Sequence, residues 1–358
     1  MPDRWRDLAM KFAHERRRAA GLSALLVVAL ISAACGGGGA QPDADDSTSG
    51  GQSDKPVGVF LAAPPSQAFT SAEMRGIENG GRVTGLDYKI FNPTGYDPQQ
   101  QYRALESAFT AKTYDAYIIH PVGPNLCKLV TDAIEQQHIT VVSTGGPICG
   151  DFTLRGEELH TEGTLTFVGG LTNMDGFVNY WENFGQKVAP DQKILSLTGP
   201  EGSSSAVPWQ AAQELASAKY PAVDVVDTLH TDYSVAGSIQ QIQSYLQGHP
   251  EVTAIASMYI NLTQAAVKAL ENLNLSERVA IYDVGADTQS VALVKQGVVA
   301  ATSPYFPISI GTTAMQAIAD SRAGKTVPTY IGDDGNTEQY ERFSWIDTSN
   351  IDQYTPEY

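Results

Sequence analysis

The stretch VGVFLAAPPSQAFTSAEMRGIENGG (residues 57–81) decides the fold, because it changes from one hydrophobic pattern to another within a few residues. Residues 57–62 are almost continuously apolar, which is typical of a strand buried on both faces of a parallel sheet. Two prolines then break the apolar run, and a helical pattern follows. The stretch therefore predicts one strand–loop–helix unit.

Similar apolar runs recur along the rest of the chain and predict ten strands in two sets. The first set lies at 57–62, 87–92, 116–121, 140–145 and 165–170, and the second at 193–199, 223–229, 253–259, 278–285 and 298–306. Helical patterns separate the strands: residues 97–112 place Tyr102, Leu105 and Phe109 on one face, and residues 238–248 place Ile239, Ile242 and Leu246 on one face. The alternation predicts an α/β fold with two doubly wound parallel-sheet lobes, because ten strands are many for one sheet.

Charge and composition exclude several classes of function. The chain has 358 residues and a net charge of −17, and so acidic a surface repels the phosphates of nucleic acids. Its six histidines show no spacing typical of metal ligands, so we expect neither a metal nor a cofactor. The segment GPEGSSSA (199–206) lacks the Gly-Lys-Ser ending of a phosphate loop and the Gly-x-Ser-x-Gly elbow of a hydrolase. With no paired carboxylates or nucleophile and base either, we do not expect an enzyme.

The first 34 residues are typical of an export signal. Basic residues precede an apolar run at 22–34, LSALLVVALISAA, which is shorter than a membrane-spanning helix needs and fits the hydrophobic region of a signal peptide. The segment SAACG (32–36) resembles the lipobox of bacterial lipoproteins, which implies a diacylglyceryl group on Cys35 and an anchor on the outer face of the cytoplasmic membrane. An ordinary cleaved signal, or a membrane helix ending in cysteine, is the alternative. Residues 35–54, rich in Gly, Ser and Asp, are then expected to be a flexible linker.

Two further cysteines, Cys127 and Cys149, lie 22 positions apart in the first set of strands and helices. In an exported protein such a pair is expected to form a disulfide. The alternative is two separate buried thiols.

Unusual residues follow several of the predicted strands. His120, the Gly145-Gly146 pair, Tyr233, Tyr259 and Tyr305 all lie at or just beyond strand ends. Because ligands of such sheets bind beyond the carboxyl ends of the strands, these positions predict a cleft for a small, uncharged, partly polar molecule.

From Pro56 to Tyr358 the chain resembles the type I periplasmic solute-binding proteins of the ribose- and galactose-binding branch. Besides residues 57–81, the segments that carry the resemblance are YDAYIIHPVGPNLCKLVTDAIEQQHITVVST, NMDGFVNYWENFG, GHPEVTAIASMYINLTQAAVKAL, ALVKQGVVAATSPYFPISIGTTAMQAI and FSWIDTSNIDQY. The resemblance implies a monomer with two lobes joined by a three-strand hinge, which closes on a small solute and delivers it to an ABC permease. It implies a first lobe of residues 55–170 with 306–330 and a second lobe of 171–305 with 331–358.

The resemblance also implies which side chains bind the solute. Amide, aromatic and polar strand-end positions of the family match Gln67, Phe69, His120, Tyr233, Tyr259 and Tyr305. Asp287 resembles the family's carboxylate that accepts hydrogen bonds from two hydroxyls of the solute. Asp283 is the alternative residue for that role. Where ribose binders carry an arginine the chain has Val207, and Trp209 is the nearest bulky residue.

Two departures from the family affect the choice of solute. The Asp-Arg pair of the ribose binders is Gly145-Gly146 here, and the second-lobe arginine is also missing. The pocket is therefore expected to be more aromatic and less charged than a pentose site, and ribose itself is in doubt. Larger sugars, deoxysugars, polyols and aromatic or nucleoside-like solutes stay open.

Other functions compete with solute import. A sensor that presents its ligand to a membrane signalling receptor has the same fold, and the sequence does not separate it from an importer. An envelope enzyme needs a catalytic constellation that the sequence does not show. The leader and the missing DNA-binding helices exclude a cytoplasmic repressor.

Overall fold

The structure, a computed structural model, describes residues 55–358 and contains two six-stranded sheets. The strands of the first sheet are β1 (Val57–Phe60), β2 (Tyr88–Phe91), β3 (Ala116–Ile119), β4 (Thr140–Thr144), β5 (Thr166–Val168) and β11 (Tyr330–Ile331). The strands of the second sheet are β6 (Lys193–Thr198), β7 (Asp224–His230), β8 (Ala254–Ser257), β9 (Ala280–Gly285), β10 (Ala301–Pro304) and β12 (Ile346–Asp347).

Ten α-helices of the described residues connect these strands. They are α1 (Ala68–Thr84), α2 (Pro98–Ala111), α3 (Cys127–Gln137), α4 (Met174–Lys187), α5 (Ala206–Lys219), α6 (Val235–Gly248), α7 (Ile260–Leu273), α8 (Thr288–Lys295), α9 (Pro307–Arg322) and α10 (Thr337–Arg342). Within this part of the chain, no helix is both long enough and apolar enough to cross a membrane.

Each sheet forms the centre of one lobe. The strand orders are β11-β5-β4-β3-β1-β2 and β12-β10-β9-β8-β6-β7, and all pairings are parallel except that of β10 with β12. The chain passes between the lobes three times, at 169–173, at 305–306 and after β11. The predicted fold of two parallel-sheet lobes is confirmed. The predicted domain limits stay a prediction, and the limit after residue 330 falls inside β11.

The ten predicted strands are present, and the two additional strands are short. β11 and β12 have two residues each. Two residues are too few to show either strand alternation or a continuous apolar run, so the sequence carries no periodic signal for them.

Strand β1 is buried on both faces because its side chains alternate between two apolar clusters. In β1, Val57 and Val59 pack with Ile77 of α1 on one face of the first sheet. Phe60 points to the other face and packs with Leu105 of α2. The continuous apolar run that the sequence shows is the direct result of these two clusters.

Helices α1 and α9 cover one face of the first sheet and approach each other very closely. A Cβ on Gly76 would lie 2.2 Å from the carbonyl oxygen of Ile308, and a Cβ on Gly311 would lie 2.4 Å from that of Glu73. Only glycine allows backbones to come this close. The contact fixes α1 against α9, which begins directly after a passage between the lobes.

Cys127 and Cys149 form a disulfide, with their Cα atoms 4.6 Å apart. It joins the first residue of α3 to the loop that follows β4. A closed loop of this size contributes about 3 kcal/mol to the free energy of unfolding.

The buried carboxylate of Asp334 joins all three passages between the lobes. Asp334 lies in the third passage and is 0% exposed. It accepts hydrogen bonds from the backbone N–H of Leu171 in the first passage, at 3.2 Å, and of Phe306 in the second, at 3.4 Å. Burial raises the pKa of Asp334 from its ordinary 3.8 to about 7, although the two N–H donors oppose the shift.

This raised pKa predicts that the free energy of unfolding falls as the pH rises from about 4 to about 7. In this window the unfolded chain has lost the proton that the native Asp334 still holds, so higher pH favours unfolding. Across this window the free energy of unfolding should fall by on the order of 3 kcal/mol more in the wild-type protein than in Asp334→Asn. The stability of the variant should still fall somewhat with rising pH because of Asp283. Burial raises the pKa of Asp283 to about 6.

Urea unfolding at several pH values measures how the free energy of unfolding changes with pH in wild type and in Asp334→Asn. Asp87→Asn is the matched control, because Asp87 is exposed and its side chain makes no hydrogen bond or ion pair among the described residues. An equal pH dependence in wild type and Asp334→Asn would show that the pKa of Asp334 is not raised in the native protein.

The predicted signal peptide (1–34), the linker (35–54) and Cys35 lie outside the described residues.

Candidate functional site

A cavity of about 90 Å³ lies where the two lobes meet, beyond the carboxyl ends of both sheets. Its walls come from both lobes and from the passages between them. The lining residues are Ala62, Ala63, Gln67, Phe69, Thr70, Tyr96, His120, Gly145, Thr172, Phe177, Ser205, Tyr233, Met258, Tyr259 and Tyr305.

Six of the eight ligand-binding residues predicted from the sequence line this cavity. They are Gln67, Phe69, His120, Tyr233, Tyr259 and Tyr305. Each of these residues follows a strand or lies at the start of the next helix. They therefore all lie beyond the carboxyl ends of the parallel strands, where the cavity is. Their contact with a solute stays a prediction.

The aromatic rings form a network of edge-to-face contacts. Phe69 lies between His120 and Tyr305, with 6.0 Å between ring centroids in both pairs. On the second-lobe side, Tyr233 packs against Tyr259 at 5.5 Å and against Tyr96 of the first lobe at 5.8 Å. Such a box presents ring faces and edges, which suit the C–H faces of a small ring-shaped molecule.

No Lys, Arg, Asp or Glu is among the residues that line the cavity. A charged solute would therefore lose its hydration without gaining a counter-ion, which is costly in a buried site. Burial raises the pKa of Tyr233, Tyr259 and Tyr305 further above the ordinary 10, so these hydroxyls stay protonated and can donate.

Some polar atoms of the cavity are already bonded within the protein, and others are not. The Tyr233 hydroxyl lies 2.8 Å from Ser205 Oγ. By contrast, Thr172 Oγ1 is buried without a hydrogen-bond partner in the described chain. The Tyr305 hydroxyl and His120 Nε2 also make no hydrogen bond with any described residue. These unpartnered atoms are the ones that can bind polar groups of a solute.

Direct hydrogen bonds join the lobes around the cavity. The backbone N–H of Phe69 donates to the Tyr259 hydroxyl at 3.1 Å, and Asn261 Nδ2 donates to Gln67 Oε1 at 2.9 Å. Ser204 Oγ donates to the carbonyl oxygen of Pro121 at 2.9 Å. Gln67 and Tyr259 therefore hold the lobes together as well as lining the cavity.

A buried carboxylate lies behind the cavity wall. Glu73 of α1 is 1% exposed, and its Oε2 lies 3.1 Å from His120 Nδ1. Its Oε1 accepts a hydrogen bond from Thr144 Oγ1 at 2.9 Å. Sequence reasoning missed Glu73, because a single glutamate in a helical pattern carries no sign of its partner.

Gly145 is required by the position of the His120 ring. A Cβ on Gly145 would lie 2.3 Å from both Cε1 and Nε2 of His120, and its φ of +63° favours glycine. The absence of a side chain after β4, which the sequence shows as a departure from ribose binders, thus makes room for the imidazole.

The structure corrects the prediction for Trp209. The side chain lies on the buried face of α5 and is 0% exposed, and its Nε1 donates to Ser196 Oγ at 2.8 Å. Its ring packs against Phe177 at 5.3 Å and Tyr180 at 5.0 Å. Trp209 does not line the cavity, because α5 turns it into the core of the second lobe.

The two candidate carboxylates, Asp287 and Asp283, do not line the cavity either. Asp287 caps the N-terminus of α8 and accepts a hydrogen bond from the backbone N–H of Ser290 at 2.6 Å. Asp283 is 0% exposed and accepts a hydrogen bond from Ser290 Oγ at 2.7 Å. Both carboxylates therefore serve α8 instead of facing the cavity.

Several lining residues were not predicted, although some follow the same rule as those that were. Tyr96 lies in the loop beyond β2, and Met258 directly follows β8. Phe177 faces the cavity from α4, and no strand-end rule identifies a helix residue. Within residues 55–358, no cluster of His, Cys, Asp or Glu could hold a metal ion.

Comparisons with known proteins agree with this architecture. Residues 57–326 match the family described as a periplasmic binding protein domain. The ribose import binding protein RbsB of Bacillus subtilis is 22% identical over 290 residues, which cover 80% of this chain and 87% of that protein.

Solved structures show the same fold. An ABC transporter solute-binding protein from Agrobacterium vitis, bound to α-D-tagatopyranose, has a TM-score of 0.69 at 16% identity and covers 83% of this chain and 96% of its own. A periplasmic solute-binding protein from Actinobacillus succinogenes, with bound D-allose, has a TM-score of 0.68 at 17% identity and covers 84% of this chain and 100% of its own.

Proposed function

Since the chain belongs to the periplasmic binding protein domain family, we propose that it captures a small neutral solute outside the cytoplasm and delivers it to an ABC importer. The solute class that fits best is a sugar or polyol. The observation that carries the proposal is the cavity between the lobes, which has aromatic walls, unpartnered hydrogen-bonding atoms and no Lys, Arg, Asp or Glu in its lining.

Each feature of the cavity suits a sugar or polyol. The Phe69 and Tyr305 rings can cover an apolar C–H face, and Tyr305, Thr172 and His120 offer hydrogen-bonding atoms for hydroxyls. The relatives are consistent with this class, because RbsB is named for ribose import and the two structural neighbours hold α-D-tagatopyranose and D-allose. An acidic or basic solute would find no counter-ion here.

A thermal-shift screen of the purified protein tests the solute class. The panel is D-ribose, D-allose, D-arabinose, D-tagatose, polyols, nucleosides and aromatic acids. A solute that binds only the folded state raises the free energy of unfolding by about 2.7 kcal/mol at 100 times its Kd, and therefore raises the Tm. We expect a sugar or polyol to do so.

Phe69→Ala should abolish the shift, because it removes the ring between His120 and Tyr305. Phe91→Ala is the matched control, since Phe91 lies in β2, stacks on Phe60 and does not line the cavity. A shift with a nucleoside or an aromatic acid alone would overturn the sugar assignment. A shift with a sugar that survives Phe69→Ala would place the solute elsewhere.

The proposal includes a lipid anchor at Cys35 and a monomeric binding protein. The anchor rests on the sequence SAACG at 32–36 and on the linker that follows it. Mass spectrometry of the protein from membranes should find a diacylglyceryl group on an N-terminal Cys35. An unmodified Cys35 inside a longer chain would contradict the anchor.

A further inference from the structure

His120 lines the cavity, and a buried carboxylate holds its ring at Nδ1. Glu73 Oε2 lies 3.1 Å from His120 Nδ1, and the Glu73 side chain is 1% exposed. The opposite edge of the ring, with Nε2, lies over Gly145 at the cavity wall. Nε2 makes no hydrogen bond with a described residue.

The chemistry of the pair decides which nitrogen carries the proton. A carboxylate accepts hydrogen bonds and cannot donate them, and Glu73 already accepts one from Thr144 Oγ1. His120 Nδ1 must therefore be the donor to Glu73. In the neutral ring, Nε2 is then an acceptor without a hydrogen.

This makes His120 Nε2 different from the hydroxyls around it. The hydroxyls of Tyr305 and Thr172 can each donate or accept, so they adapt to the solute. A neutral His120 with its proton on Nδ1 only accepts. A solute that places a hydrogen-bond acceptor without a hydrogen opposite Nε2 would bring two lone pairs together, and it would bind more weakly.

We infer that Glu73 is a positioning residue that fixes His120 as a hydrogen-bond acceptor and thereby selects a neutral solute with a hydroxyl or N–H donor at that point. The identity of the solute rests on the proposed function. The position of the proton on His120 does not, so the two can fail separately.

The first experiment needs no solute. Nitrogen-15 NMR of the histidine rings at alkaline pH distinguishes a protonated Nδ1 from a protonated Nε2, and His120→Gln identifies which of the histidine signals belongs to His120. We expect the proton on Nδ1 in the wild-type protein. A proton on Nε2 would overturn the inference, whatever the variants do.

Two isosteric variants then separate positioning from general packing. Glu73→Gln should shift His120 to a mixture of both tautomers, because an amide can donate as well as accept. Thr144→Val removes a hydrogen bond from the same carboxylate without touching His120, so it should keep the proton on Nδ1. A tautomer unchanged in Glu73→Gln would show that Glu73 does not position His120.

The second experiment tests selection with D-ribose, D-allose and D-arabinose and their monofluoro analogues. Fluorine cannot donate, so replacing the hydroxyl opposite Nε2 should weaken binding by about tenfold in wild type and by much less in Glu73→Gln. Equal losses in both proteins would overturn selection by Glu73. If none of the sugars binds wild type, the proposed sugar function fails, and the NMR result still decides the role of Glu73.

Discussion

Gly145→Ala is expected to weaken sugar binding by about 100-fold or more. The new Cβ would lie 2.3 Å from Cε1 and Nε2 of His120, far inside van der Waals contact. The ring cannot retreat without breaking its hydrogen bond to Glu73 or its contact with Phe69. The φ of +63° adds about 1 kcal/mol of backbone strain for an L-residue. The affinity falls because the ring is forced out of its place in the wall.

Isothermal titration with the sugar that gives the largest thermal shift measures this loss. The adjacent Gly146→Ala is the matched control, because its Cβ would meet Ser204 Cβ at an ordinary 3.5 Å and its φ is not positive. Gly146→Ala should bind within a factor of about three of wild type. If Gly145→Ala also binds like wild type, the His120 edge is not part of the solute site.

Trp209→Ala is expected to lower the free energy of unfolding by about 3–5 kcal/mol and to leave sugar affinity nearly unchanged. The indole is fully buried, contacts the rings of Tyr180 and Trp181 at 5.0 Å each, and donates to Ser196. Truncation would leave a large cavity in the second-lobe core and an unpaired Ser196 hydroxyl.

Urea unfolding and isothermal titration of the same samples separate the two effects. Leu215→Ala on the same helix is the control, because Leu215 is 55% exposed and its loss should change stability by less than about 0.5 kcal/mol. A large loss of affinity at unchanged stability would return Trp209 to the solute site, as the sequence resemblance suggested.

The contrast between Trp209 and Phe69 shows what the sequence can predict about the site. Phe69 lies at the start of α1, just after the loop that follows β1, and the carboxyl ends of parallel strands share one edge of the sheet, so its position follows from the alternation alone. Trp209 lies inside a helix, and its direction depends on which face of α5 packs on the second sheet. That face has a weak signal in the sequence, because alanines and Pro208 occupy much of it.

Asp287 illustrates a second limit. A carboxylate just after a strand can bind a solute or cap the following helix, and the residue types are the same for both roles. Here the hydrogen bond to the Ser290 N–H shows the capping role. The sequence could not separate these roles, because the difference lies in the side-chain direction.

Glu73 shows why residues behind the wall are the hardest to predict. It is near neither His120 nor Thr144 in sequence, and it contacts them only because α1 crosses the ends of β3 and β4. The glycine after β4 was visible in the sequence as a departure from ribose binders. Its reason, the space taken by the imidazole, needed the three-dimensional arrangement.

The hydrogen bonds between the lobes affect the thermodynamics of capture. The bonds from Asn261 to Gln67, from Phe69 to Tyr259 and from Ser204 to Pro121 use protein atoms only. In the proposed capture of a solute by lobe closure, they favour the closed conformation before any solute contributes. The apparent Kd equals the intrinsic Kd divided by the fraction of molecules already closed, so these bonds raise affinity without touching the solute. The same bonds let empty closed molecules compete with loaded ones for the importer, which sets a limit on how strong such bonds can usefully be.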